Sequence, residues 1–287
     1  MNASLESLKT LCVHSARRAL QWRLPVLYAA VLLLPVVIMV APAWVVLDTQ
    51  LSYSVHAAAL AQQLDLASLT DLLEVGKQHA LGAQLALWVA LACTALSSPL
   101  LAGATVTAAR STEPLPLGAL LAGGMAEYGR MARMLLWSAI VMGAALWLGA
   151  SLRELAHPDE ALLPADGQWA GYAAKAATLL LAWAALVTVD AGRAVLAADR
   201  RRKSAVKAWW QGMALLRRQP VAALGSYAVL GAVGFGVAGL LGLARLHFPT
   251  GTLPGDVAAC VLTQVIAVLL AWFRAARLFA LVTVARQ

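Results

Sequence analysis

The sequence predicts an all-α polytopic membrane protein with six transmembrane helices, and three observations predict it. Of its 287 residues, 61% are hydrophobic and only 13% charged, and the mean hydropathy is +0.75, outside the range of soluble domains. Six apolar segments are each long enough to cross about 30 Å of hydrocarbon at about 1.5 Å per residue. The charge is also sorted by loop. If the two ends of the chain and the loops after spans two and four share one side, all but four of the 22 Lys and Arg residues lie there. Lys77, Arg153 and Arg245 fall opposite, and Lys175 lies within span four. By the positive-inside rule both termini are cytoplasmic. The net charge of +8 is therefore a topology signal, and no continuous basic face of the kind nucleic acid requires is formed.

Taken in order, the chain begins with SLESLKTLCVHSARRALQWRLP, an amphipathic segment that ends in basic residues before span one at 24–47. Ala41-Pro42-Ala43 has the shape of a signal cleavage site. However, the apolar run from Leu24 to Val40 is long for a signal segment and resumes at Trp44, so an uncleaved span is expected. Residues 48–82 make the longest outer loop, where SVHAAALAQQL and ASLTDLLEV have helical spacing and Gly76 is a stop. A small outer helical cap is predicted. Span two covers 83–108. Pro99 in it and Pro35 in span one each remove a backbone hydrogen bond, and Ser97 and Ser98 stand beside Pro99 to satisfy freed carbonyls.

PLGALLAGGMAEYGRMARML predicts a second interfacial helix before span three at 132–152, and the outer loop RELAHPDEALLPADGQ leads to span four at 169–190. The apolar run of span four stops at Asp190. Arg193 and then RRRK at 200–203 open a third interfacial segment, KSAVKAWWQGMALLRRQP, before span five at 221–245. A turn-rich hairpin, HFPTGTLPGD, joins it to span six at 257–281, with Pro254 suited to the start of that helix. The three repeats of surface helix plus two spans form a weak internal repetition of pattern within a single membrane domain, 1–287. Trp22, Trp137, Trp209, Trp210 and Trp272 mark the inner boundary, and Trp44, Trp88, Trp147 and Trp169 the outer one.

The end of span four carries a resemblance. Asp190-Ala191-Gly192-Arg193, followed by the basic helix RRRKSAVKAWWQGMALLRRQP, resembles uncharacterised bacterial six-span membrane proteins related to the membrane domain of glycerophosphodiesterases. Those proteins carry Asp-aromatic-Ala-Arg at this place, and here Ala191 replaces the aromatic residue. The resemblance implies a six-helix domain in a bacterial cytoplasmic membrane. It transfers no catalytic residue, and no phosphodiesterase domain fits in the remaining chain.

Two groups of residues are candidate sites. Because a lone charge in hydrocarbon is costly, Asp190 is expected to pair with Arg193 one turn along its helix, or with Arg274 or Arg277 of span six. This group serves either as a lock between spans or as a gate or head-group pocket, and the lock is preferred. The second group is the basic surface formed by Arg200, Arg201, Arg202, Lys203, Lys207, Trp209, Trp210, Arg217 and Arg218. Val206, Trp209, Trp210 and Met213 share one helical face, so the segment suits an anionic leaflet or a partner protein.

Small residues repeat every fourth position in span two, at Ala86, Ala90, Thr94, Ser98 and Ala102, and in span five, at Ala228, Ala232 and Gly236 and at Gly234, Ala238 and Gly242. They predict close helix approach. Polar groups deep in the spans are few: Thr94, Lys175, Thr263 and Gln264. No carboxylate sits near the midplane, where ion-coupled pumps place one. His56, His79, His157 and His247 map outside at spacings that match no metal-ligand pattern. Cys12, Cys93 and Cys260 show no paired spacing, and no phosphate loop, GxSxG or HExxH run occurs. The expectation is a non-enzymatic scaffold or accessory subunit without cofactor or metal, acting on anionic inner-leaflet phospholipid or a membrane-protein partner. The rival expectation is a transporter or permease for a lipid-like or small apolar solute.

Overall fold

The computed structural model describes residues 2–51, 80–156, 164–248 and 253–286. These form eight α-helices, with no strand among the described residues: α1 (Asn2–Ala19), α2 (Arg23–Leu51), α3 (Ala80–Arg110), α4 (Leu117–Ala156), α5 (Pro164–Ala198), α6 (Ala205–Arg218), α7 (Ser226–Arg245) and α8 (Leu253–Ala285). A single π-turn, Val221–Gly225, leads into α7. Helices α2, α3, α4, α5, α7 and α8 are long and apolar enough to cross a membrane. The protein is an all-α, multi-pass membrane protein. The outer cap expected over 48–82 falls on residues outside the described ones, apart from the ends of α2 and α3.

One boundary differs from the expectation. The interfacial segment before span three is not a separate helix, because α4 runs unbroken for 40 residues from Leu117 to Ala156. The first and third segments, by contrast, stop before their spans. Leu20 to Trp22 leave the helix ahead of Pro25, and Gln219, with φ −130° and ψ 62°, leaves it ahead of Pro220. The residue before Pro220 is pushed out of helical geometry, while proline itself is tolerated in a first turn, as Pro25 is in that of α2. No proline lies within 117–156, so nothing interrupts α4.

The chain divides into two compact units. One contains residues 1–24, 99–233 and 272–287, and the other residues 25–98 and 234–271. In the first unit, α5 packs along both α4 and α6, and α1 packs on the π-turn. Half of the apolar window of α5 is buried within the chain, against 6% for α4. Helix α5 is thus an interior element, while α4 offers most of its surface to lipid.

Glycines set the spacing where helices of this unit cross. A Cβ on Gly103 would stand 2.8 Å from the Gly124 carbonyl oxygen, one on Gly124 2.8 Å from that of Leu100, and one on Gly149 would run into Thr178. The Thr178 hydroxyl donates to the Gly149 carbonyl at 3.1 Å, so α4 and α5 meet nearly backbone to backbone. The stripe expected to bring span five close to a neighbour is only partly used. Ala228, Ala232 and Gly236 are exposed, whereas Gly234 and Ala238 are buried.

Candidate functional site

The basic end of the first unit is organised by two buried charge clusters. The first contains Asp190. Placed near the C-terminal end of α5, its carboxylate accepts from Arg193 Nη1 at 2.7 Å and from the Tyr227 hydroxyl at 2.9 Å. Asp190, Arg193 and Tyr227 are all buried. Tyr227 stands two residues past the π-turn, where the extra residue per turn rotates the start of α7. The Arg277 guanidinium lies over the Tyr227 ring, 4.7 Å from its centroid, and Trp183 meets the same ring edge-on at 6.2 Å.

Of the partners anticipated for Asp190, Arg193 makes an ion pair with it. Arg277 is linked to the carboxylate through Tyr227, whose ring it covers and whose hydroxyl bonds Asp190, and Arg274 stands exposed one turn earlier on α8. Both lone-pair sides of the carboxylate are therefore engaged by groups of the same chain, the arrangement that makes a buried charge tolerable.

The second cluster was not legible beforehand. Glu127 of α4 bridges two arginines, with Oε1 to Arg110 Nη1 and Oε2 to Arg130 Nη1, both at 2.5 Å. The two arginines then reach the end of α5. Arg110 donates to the carbonyls of Ala197 at 2.6 Å and Leu196 at 3.1 Å. Arg130 donates to Leu196 and Asp199, both at 2.7 Å, and to Arg202 at 3.0 Å.

A helix C-terminus leaves four carbonyls without partners and carries partial negative charge. This Arg-Glu-Arg clamp satisfies several of those carbonyls and neutralises the dipole, tying α3, α4 and α5 together. The sequence signal was faint: one carboxylate, Glu127, in an otherwise apolar and basic segment, three residues before Arg130.

Helix α6 is held against this assembly. Ser204 caps it by accepting from the Lys207 N–H at 3.4 Å. The face it buries is Ala205, Ala208, Gly212 and Leu216. A Cβ on Gly212 would lie 2.5 Å from the Gly192 nitrogen and 2.8 Å from the Ala191 carbonyl carbon, and one on Gly192 3.1 Å from the Trp209 Cα. Within Asp190-Ala191-Gly192-Arg193, Gly192 is thus the crossing point of α5 and α6.

The Val206, Trp209, Trp210 and Met213 face lies beside the buried one. Trp209 is half-buried and packs edge-on against Trp137 at 5.6 Å and Trp210 at 5.2 Å, while Trp210 remains 57% exposed. Arg200, Arg201, Lys203, Lys207, Arg217 and Arg218 are all exposed, and Arg202 is half-buried beside Asp199 at 3.5 Å. The predicted basic surface is therefore an exposed array carried by a helix whose other face is buried.

Helix α1 closes the same end. Cys12, Ser15 and Ala19 form its buried face. Trp272 Nε1 donates to the Ala16 carbonyl at 3.1 Å and Arg18 to that of Ser111 at 2.6 Å. Elsewhere, Thr94 and Thr263 bond back to carbonyls of their own helices, the Ser97 hydroxyl turns to the Thr94 carbonyl, and Lys175 lies over the Tyr172 ring at 5.5 Å. Of the four outer histidines, His56, His79 and His157 lie outside the described residues. His247 is exposed, with Nδ1 3.0 Å from the Leu243 carbonyl.

No family model, curated relative or solved structure matches this chain.

Proposed function

We propose that the protein is a non-enzymatic scaffold or accessory subunit of a bacterial cytoplasmic membrane, with both termini in the cytoplasm and its basic end gathering anionic phospholipid or a membrane-protein partner. One contrast carries this reading. The buried carboxylates Asp190 and Glu127 are each neutralised by arginines of the same chain, whereas six cations around α6 stand exposed on a platform whose opposite face is packed. Self-satisfied buried charge supports rigid locks between spans in preference to groups that bind and release a solute. Exposed Lys and Arg beside a span, with Trp210 among them, suit an anionic leaflet, where each contributes about 1 kcal/mol.

Native mass spectrometry of the gently solubilised protein tests the reading. Co-purification of a partner in fixed stoichiometry, or retention of anionic over zwitterionic phospholipid, is the expected result. Recovery of the protein with neither, together with transport of a solute in proteoliposomes, would overturn it.

A further inference from the structure

We infer that the slot between α4 and α6 is a site for one anionic phospholipid, with its phosphate at Arg133 and Lys203 and an acyl chain along α4. This rests on the lipid-organising reading above and gives it a place. The slot has a volume of about 510 Å³ and is lined by Arg133, Leu136, Trp137 and Ile140 of α4 and by residues 203–206 at the start of α6.

Its chemistry is graded along its length. Arg133, Leu136, Trp137 and Ile140 follow one another at helical spacing, so they form a strip of about 10 Å parallel to the axis of a spanning helix. At one end stand the two cations and Ser204. The Arg133 guanidinium is anchored there by donating to the Lys203 carbonyl at 2.9 Å, and the residues that open α6 place the positive end of that helix in the wall. The other end is apolar, and its residues are exposed within the chain, Leu136 at 70% and Ile140 at 61%. No carboxylate lines the slot.

A soluble anion would use the cations and leave the apolar strip empty, and an apolar solute would do the reverse. A molecule with a phosphate at one end and a hydrocarbon chain running parallel to the span uses both.

The test uses the full-length protein in detergent, titrated with phosphatidylglycerol or phosphatidylcholine of matched acyl chains and followed by native mass spectrometry. Lys203→Gln removes a slot cation while keeping the backbone carbonyl that holds Arg133. It is expected to weaken the first phosphatidylglycerol bound about fivefold, with phosphatidylcholine unaffected. Ile140→Trp, a change at an exposed apolar position, is expected to reduce the same binding by filling the strip. Arg245→Gln, an exposed position at the other end of a span, should leave it in place.

If Lys203→Gln leaves the first phosphatidylglycerol bound as before while the unaltered protein still prefers it to phosphatidylcholine, the slot is not the site, although the basic end still gathers anionic lipid. Equal retention of both lipids by the unaltered protein would remove the slot and the lipid reading together. Full displacement of phosphatidylglycerol by inorganic phosphate would show recognition of the phosphate alone and overturn the assignment to a lipid.

Discussion

At the scale of single residues, buried charges at the basic end are stabilised by their number of partners, and this ranks the substitutions. Glu127 serves two arginines and, through them, the end of α5. Glu127→Gln leaves both guanidinium groups without a counter-ion at sites about one-tenth exposed, and breaking such a buried group costs about 3–5 kcal/mol. The expected outcome is a large drop in melting temperature in detergent, read by tryptophan fluorescence. Asp199→Asn should leave that temperature near its original value, since the Asp199–Arg202 contact is long, at 3.5 Å, and reaches solvent.

Asp199 has its own pH dependence. The backbone N–H of Arg201, and after it Arg202, hold its carboxyl below the ordinary carboxylate value. Its contribution is thus present at neutral pH and lost only as pH falls through the lowered value, below about pH 4. Amide exchange over residues 199–204 should be flat in its protection between pH 5 and 8 and lose it only in stronger acid. Burial also pushes the Cys12 thiol up, so little thiolate forms near neutral pH. Maleimide labelling of Cys12 should be slow in the folded protein and rapid once the protein is unfolded.

At the scale of elements, glycine does different work at different crossings, and this explains what sequence reading captured. Asp190 was legible because a carboxylate at the end of an apolar run demands a partner wherever the chain folds. Tyr227 was not, since a tyrosine near a span boundary ordinarily reads as an interfacial anchor and only the π-turn brings it to Asp190. The unbroken α4 was missed for a related reason. Gly123, Gly124 and Gly129 resemble punctuation in a sequence, but Gly123 and Gly124 are instead places where α3 and α4 touch.

The amphipathic pattern of α6 located its apolar residues without showing that the small face, Ala205, Ala208 and Gly212, makes the packing contact. Gly212→Leu must push α6 off α5, because even a Cβ would stand 2.5 Å from backbone. Overpacking of this kind costs about 1–3 kcal/mol, and limited proteolysis should then cut within or beside α6. Gly236→Ala, with nothing within 4 Å of the added carbon, should be neutral or stabilise α7 by up to about 1 kcal/mol.

At the scale of the whole molecule, the six spans were readable because apolar runs of this length have few other uses, whereas the direction in which they are threaded is a matter of charge. The cations crowd into α1, the α5–α6 linker, α6 and the last turns of α8. The clusters around Asp190 and Glu127 engage Arg110, Arg130 and Arg193 in direct ion pairs. The exposed Arg200, Arg201, Lys203, Lys207, Arg217 and Arg218 are the ones expected to bias insertion, which depends on Lys and Arg within short loops and near span ends.

The expected orientation places residue 202 in the cytoplasm and residue 154 on the opposite side. Alkaline phosphatase fused after Arg202 should be inactive and green fluorescent protein fused there should fluoresce, while fusions after Glu154 should give the reverse. If the phosphatase were active after Arg202, the basic end would face away from the cytoplasm. The anionic leaflet proposed to meet Lys203 and Arg133 would then have to be the outer one, which separates the orientation of the bundle from the chemistry of its lipid slot.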